Sequence, residues 1–499
     1  MSNSSRQVVL GWHDYGYLPY EKRLAEREAE TVAEASVLAR TRTGLALSTR
    51  KSARHLWRLV YFSEVRHGGK ATATIQSLLE RSCPRSGGTK RQATRYSVHA
   101  VHDYKGRFNP QIVRSVLNIL GVPRNSRVLD PFCGSGTSLV EFAYGGFRPS
   151  GVDLNPLAVY IAESKMLALQ TPASEVAESI HAVRGIQGGG RHRCCRDDRD
   201  DYLTKWFRSD VLDELESLRA NIGRVRREHE QILLTLLSDL LRDYSDQEPN
   251  DLRIRRRRSP YPNEALTAAF FKRADMFVAG LGAAQQVVGP VRLRASLVCA
   301  DSATHTYRRH YYAAAVTSPP YATALPYIDT QRLSLVWLDL VKPTELQRLE
   351  ERLLGSRDVL GDGKTLWQRR LEENGACVPD RVWRFCLSLA DRVGLYDGFR
   401  RRLVPLLLYR YLAGMSQVFE NVARALKPAS PFAIVVGTNH TTLNGKKMRI
   451  DTPELLCEIA QAKGWLVEEV IPLQTYQRYG LHSRNSIRQE KLLILRAPA

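Results

Sequence analysis

The run Arg127-Val128-Leu129-Asp130-Pro131-Phe132-Cys133-Gly134-Ser135-Gly136-Thr137 constrains what this chain can fold into more than any other stretch. A short apolar strand enters a glycine-rich turn, and Ser138-Leu139-Val140-Glu141-Phe142-Ala143 continues directly as a helix. The helix is expected to start at Thr137 or Ser138, with a hydroxyl as its N-cap. Gly134 and Gly136 let backbone approach a ligand closely, and the helix start offers free N–H groups. A second strand ends in an acid, Gly151-Val152-Asp153, where a carboxylate can take both hydroxyls of a ribose. Strand, glycine turn, helix, strand and acid form the nucleotide-binding unit of an open α/β sheet. Leu139 stands where a dinucleotide fingerprint needs its third glycine, which disfavours NAD.

A second motif lies far downstream. The apolar run Tyr312-Ala313-Ala314-Ala315-Val316 reads as a buried strand and ends in Thr317-Ser318-Pro319-Pro320-Tyr321. Two consecutive prolines lock the turn, which presents a hydroxyl, backbone carbonyls and an aromatic ring in one small space. Oxygens that accept from an NH₂, beside a ring that stacks, suit the exocyclic amino group of a flat base. A strand-end turn without chemistry is the plainer reading of that motif taken alone.

Together the two motifs resemble the S-adenosylmethionine-dependent DNA amino-methyltransferases, which methylate cytosine N4 or adenine N6. The resemblance covers about 100–165 and 295–330 well and the last strands loosely. It implies that Asp130, Pro131, Phe132, Gly134, Ser135, Gly136 and Thr137 hold the methionine part of S-adenosyl-L-methionine. Asp153, with Leu154 beside it, matches the ribose-binding position. Ser318, Pro319, Pro320 and Tyr321 match the catalytic motif. His102-Asp103-Tyr104-Lys105-Gly106-Arg107-Phe108-Asn109-Pro110-Gln111 resembles the segment that closes over the cofactor, which adds Lys105 and Phe108 to the set. Asn109 as cap and Pro110 at the first helical position also make a sound helix start. Asp301, after Leu297-Val298-Cys299-Ala300, stands where the family accepts from the adenine amino group of the cofactor; it reads equally as a cap of the next turn. The implied fold is α/β: a Rossmann-like class I methyltransferase sheet, seven-stranded and mostly parallel with the last strand antiparallel, carrying mostly helical insertions.

The chemistry follows from what an amino nitrogen needs. Its lone pair is delocalised into the ring, so acceptors at Ser318 Oγ and the Pro319 carbonyl would draw its protons and push it toward sp³. Tyr321 would hold the extruded base in line. No strong base and no metal are required. Methylation at cytosine C5 needs a cysteine in a Pro-Cys pair, and the chain has none; Cys133 reads as small packing. Serine at the first catalytic position leans toward cytosine N4, with N6-adenine as the alternative. An RNA enzyme of the transfer-RNA guanine-N2 type, and a degenerate methyltransferase acting as a binding subunit, are the rival readings.

The balance of 73 Lys+Arg against 52 Asp+Glu, a net +21, suits a polyanionic partner, here double-stranded DNA. Arg253, Arg255, Arg256, Arg257 and Arg258 form the densest run and a candidate phosphate grip, with a solvated loop as the alternative. Arg478 and Arg484, in a donor-rich loop between two late strands, are further candidates. The eight cysteines include no C-x-x-C pair, and His192-Arg193-Cys194-Cys195 is too tight for a zinc site. Free thiols, a polar N-terminus and the lack of a membrane-length apolar run lead us to expect a cytoplasmic protein without a membrane association. Restriction or defence-system proteins are possible partners.

Six segments are expected. Residues 1–95 read as an N-terminal helical cap, and 96–169 as the first part of the catalytic core. Residues 170–290 form a helical insertion, with Leu212, Leu215 and Leu218 in register, and a candidate DNA-recognition module. Residues 291–329 return to the core, 330–405 form a second helical insertion, and 406–499 complete the core. Within that last part a helix is expected near 409–426, and strands at 432–437, 466–473 and 491–495.

Overall fold

Val128 and Leu129 sit on opposite faces of one strand, and both are fully buried. The same holds for Ala314–Val316, Phe432–Val436 and Leu492–Leu495, whose side chains alternate between two hydrophobic cores. Continuous apolar runs of this kind belong to a sheet covered on both faces. The computed structural model describes residues 5–83, 92–186, 197–322, 328–359, 361–474 and 489–499.

Fourteen strands are present among these residues. β1 (Arg6–Trp12), β2 (Val37–Thr41), β3 (Gly44–Thr49), β4 (Phe62–His67) and β5 (Lys70–Ala73) precede the glycine turn. β6 (Arg127–Asp130), β7 (Arg148–Asp153), β8 (Ser296–Cys299) and β9 (Ala314–Thr317) follow, then β10 (Pro431–Gly437), β11 (Asn439–Leu443), β12 (Lys446–Ile450), β13 (Leu466–Gln474) and β14 (Gln489–Arg496). The central sheet has seven strands in the order β13-β14-β10-β9-β6-β7-β8. β6 lies parallel to β7 and β9, β7 to β8, and β9 to β10. β14 runs antiparallel to both of its neighbours. This is the Rossmann-like methyltransferase sheet. The order reverses between β6 and β9, so the crevice outside their carboxyl ends is where such a sheet takes a ligand.

The N-terminal region differs from the helical cap expected there. β1–β5 make a separate antiparallel sheet in the order β2-β3-β1-β4-β5. The charged helix covers only Pro19–Ala33 and stops at Glu34, whose left-handed φ of 49° ends it. The strands are short, and although β2–β3 and β4–β5 are local hairpins, the latter turning at Gly68-Gly69, β1 joins them only through pairings distant in sequence. Gly44 is one such dependence: a Cβ there would lie 1.9 Å from the Leu10 carbonyl of the neighbouring strand.

The helix Pro19–Ala33 fastens this unit to the core. Its Glu28 is fully buried and accepts from Val60 N at 3.0 Å and from Asn118 Nδ2 at 2.6 Å, the latter on the core helix Pro110–Ile119. Arg23 and Arg27 pair with Glu469 on β13. Asn109 Oδ1 caps Pro110–Ile119 through the Gln111 and Ile112 amides, as the sequence predicts.

Between β7 and β8 the described chain is mainly helical, with Pro156–Gln170, Ser209–Ile222 and Leu266–Val288 as its longest pieces. Between β9 and β10 it is helical again, ending in Val404–Ala425. The hairpin β11–β12 turns on Asn444-Gly445, both at positive φ, a local signal that the sequence reading missed.

Candidate active site

At the end of β6 the backbone must turn sharply, and Gly134 and Gly136 take φ of 48° and 76°. Gly136 is also held by packing: a Cβ there would come within 2.7 Å of Ala162 Cβ on the helix Pro156–Gln170. It is Gly136, not a hydroxyl, that caps the helix Thr137–Tyr144. Ser138 Oγ instead donates to Asp130, and Thr137 Oγ1 is buried without a partner among the described residues.

Asp130 lies beneath the cleft. Besides Ser138, it accepts from Phe132 N at 2.9 Å and from Thr317 Oγ1 at 2.5 Å. One carboxylate thereby joins the glycine turn, the helix behind it and the strand that leads to Ser318. Burial pushes its pKa up to about 6 despite these donors. The Pro131 carbonyl accepts from Ser302 Oγ, Ser135 is buried with its Oγ 3.2 Å from Lys165 Nζ, and Leu154 is half-buried. Cys133 is buried against Gly151, which suits its reading as packing.

A cleft of about 400 Å³ opens above the carboxyl ends of β6, β7 and β9. It brings together Lys105, Phe108, Phe132, Gly134 and Asp153 with Ser318, Pro319, Pro320 and Tyr321. Asp153 Oδ2 accepts from Gly134 N and Oδ1 from Asn155 N, each at 2.9 Å, and burial raises its pKa to about 6. The Ser318 hydroxyl has no hydrogen-bond partner among the described residues. Tyr321 is held by its hydroxyl, which donates to Glu490 on β14 at 2.7 Å.

Asp301 does not line this cleft. It follows β8 and its Oδ1 accepts from Ala303 N at 2.9 Å, so it caps the next turn. The edge strand stops at Cys299, and Ala300 N still donates to the Asp153 carbonyl at 3.0 Å before the turn that Asp301 caps. Several cleft residues escaped the sequence reading: Tyr20, Tyr104, Asn155 and Glu490. Asn155 carried a usable signal, since it caps Pro156–Gln170 through Leu157 N at 3.1 Å. It also donates to Tyr104 Oη and to Gln331. Tyr20 and Glu490 carried none, since each arrives from a chain end far away in sequence.

The arginine run divides. Arg257 donates to the carbonyls of Arg242, Asp243, Ser245 and Pro260, so it is committed to holding its own loop together. Arg256 donates to the Lys205 carbonyl and lies over Trp206 at 4.6 Å. Arg255 pairs with Asp251 at 3.0 Å but stays largely exposed, as do Arg253 and Arg258. Arg478, Arg484 and His192-Arg193-Cys194-Cys195 lie outside the described residues. Among the described residues no cluster of His, Cys, Asp or Glu could hold a metal, and no helix is long and apolar enough to cross a membrane.

Residues 99–166 match the family described as UPF0020, RMKL-like, methyltransferase domain. The type II methyltransferase M.MvaI of Kocuria varians is 23% identical over 285 residues, which are 53% of this chain and 63% of that protein. M.MjaII of Methanocaldococcus jannaschii is 40% identical over 73 residues, 14% and 13% of the two chains. The tRNA (guanine(10)-N2)-dimethyltransferase of Methanothermobacter thermautotrophicus is 40% identical over 52 residues, 10% and 16%. The chain therefore spans less than two thirds of each of these relatives. It carries a methyltransferase domain, and the cofactor of such a domain is S-adenosyl-L-methionine. The cleft fits that molecule: it has the volume for a nucleoside-sized ligand, Gly134 at positive φ where backbone must come close, and the Asp153 carboxylate among its lining.

Proposed function

We propose that this chain is a site-specific DNA methyltransferase acting on the exocyclic N4 of cytosine. The observation that carries the reading is the Ser318 hydroxyl, without a hydrogen-bond partner among the described residues, in the same cleft as Gly134 and Asp153. Asp153, Phe132, Gly134, Lys105 and Phe108 would hold S-adenosylmethionine, which supplies a methyl group on a sulfonium centre. Everything else falls to the protein.

Ser318 Oγ and the Pro319 carbonyl accept the two amino protons, which withdraws the nitrogen lone pair from the ring. An acceptor aimed at charge as it develops contributes several kcal/mol in a site closed to water. The Tyr321 ring covers the base, and its tie to Glu490 fixes the plane in which the base lies. A stacked base cannot reach a cleft this deep, so the target nucleotide has to leave the helix. The likeness to M.MvaI, itself named a type II methyltransferase, supports DNA as the polymer.

The test is a map of modified bases in nucleic acid from cells that express the wild type or Ser318→Ala. N4-methylcytosine in one short DNA motif, absent with the variant, is the expected result. N6-methyladenine there would keep the mechanism and change the base. A mark found only in RNA would overturn the choice of polymer.

A further inference from the structure

The three most exposed large apolar side chains among the described residues sit together on one loop. Leu395 is 87% exposed, Tyr396 100% and Phe399 69%. The loop beneath them is anchored. Asp397 is buried, and its carboxylate accepts from Gly394 N and Asn444 N, each at 2.8 Å. Arg402 donates to the Asp397 carbonyl at 2.7 Å and to that of Leu395. Three apolar side chains are thus held out into water on a fixed base. Arg400 and Arg401 are exposed beside them, and Lys364 Nζ lies 5.9 Å from the Phe399 ring.

The loop stands on the side of the sheet that carries the cleft. It precedes the helix Val404–Ala425, which runs back to the start of β10 and therefore begins near that strand's carboxyl end. Asn444, which pins the loop, lies in the turn of the β11–β12 hairpin, and Asn439 of that hairpin donates to the Ala322 carbonyl at 2.7 Å, next to Tyr321. The Ile254 N–H donates to Asp329, and Arg400 lies within electrostatic range of the same carboxylate, so the arginine run of the first insertion comes near the loop.

Apolar tips flanked by cations complement a polyanion with an apolar interior. We propose that Leu395, Tyr396 and Phe399 form a wedge that enters between base steps of a nucleic-acid duplex, with Arg400 and Arg401 on the neighbouring phosphates. The inference rests on the reading of the substrate as nucleic acid. A wedge of this kind unstacks a step and fills the gap that an extruded base leaves behind.

The full chain is tested against a labelled duplex pool of mixed sequence over a range of salt concentrations. Leu395→Ala/Tyr396→Ala/Phe399→Ala should weaken duplex binding by about tenfold or more, the scale of one lost base–aromatic contact. Its salt slope should match the wild type, because no phosphate contact is removed. Arg400→Gln/Arg401→Gln should instead flatten the slope by about two. A mismatch that pre-loosens the duplex should restore part of the triple variant's affinity, and cofactor binding should stay at the wild-type level. All three apolar residues are exposed, so folding is not at stake. Unchanged duplex binding by the triple variant, with a wild type that methylates DNA, would overturn the wedge and leave the proposed function standing. The same holds if only self-association or binding to anionic vesicles is lost. A wild type that neither binds nor modifies a duplex would overturn both.

Discussion

At the scale of single residues, Ser318 and Asp153 do different work, and substitution separates them. Ser318→Ala removes an acceptor that no described protein group uses, so structure and cofactor affinity should persist. Transfer should fall by about a hundredfold or more, the usual cost of losing one preorganised hydrogen-bond partner. Cofactor titration beside a single-turnover assay reads both effects. Asp153 can take ribose hydroxyls fully only as a carboxylate, and its pKa is about 6. Cofactor affinity should therefore weaken as pH falls through about 6. Asp153→Asn should bind weakly at every pH, without that inflection. Asp130 titrates in the same range but sits below the cleft with its oxygens taken by Phe132, Ser138 and Thr317, so the inflection assigned to Asp153 should survive Asp130→Asn.

At the scale of elements, what could be read from sequence was whatever is fixed by neighbours along the chain. The strands near 127–130, 432–437 and 466–473 declared themselves through unbroken apolar runs, and Asn109-Pro110 marked a helix start. The cleft-lining set Phe132, Gly134, Asp153 and Ser318–Tyr321 was legible because each member follows or ends a strand of the same sheet. The place of β1 in the N-terminal sheet, Tyr20 and Glu490 were hidden because pairings distant in sequence create them, whereas the β4–β5 hairpin at Gly68-Gly69 carried a local signal that was passed over. For Asp301 the sequence left two readings open, cofactor contact and turn cap, and its carboxylate accepts from Ala303 N as a cap does. Glu28 is a further feature that only the fold exposes. Burial raises its pKa to about 7, against an ordinary 4.5. Between those values the folded chain holds a proton that the unfolded chain has released, so stability falls as pH rises through that window. Glu28→Gln should abolish this slope, worth on the order of 3 kcal/mol at most. Glu28→Leu should cost about 2–4 kcal/mol at any pH by stranding the Val60 N–H and the Asn118 amide. Denaturant midpoints across pH measure both.

At the scale of the molecule, the net charge of +21 matters less than where its unpaired part stands. Much of the arginine is absorbed internally: Arg257 by carbonyls, Arg199 and Arg219 by Asp339, Arg381 by Glu454 and Glu458. What remains exposed is Arg253 and Arg258 from one insertion, beside an Arg255 that pairs with Asp251 yet stays largely exposed, and Arg400 and Arg401 from the other. The two insertions approach each other near Asp329, so a nucleic acid bound across that point would meet basic side chains from both. Each phosphate neutralised releases condensed counterions, so the logarithm of affinity should fall linearly with the logarithm of salt. Arg253→Gln/Arg255→Gln/Arg258→Gln should lower that slope by about two to three. The loss should be nearly uniform across duplex sequences, because phosphate contacts position a protein without reading bases. The methylated motif should then stay the same while the rate at subsaturating duplex drops. A changed motif would mean that these arginines reach base edges, and the first insertion would then be the element that reads sequence.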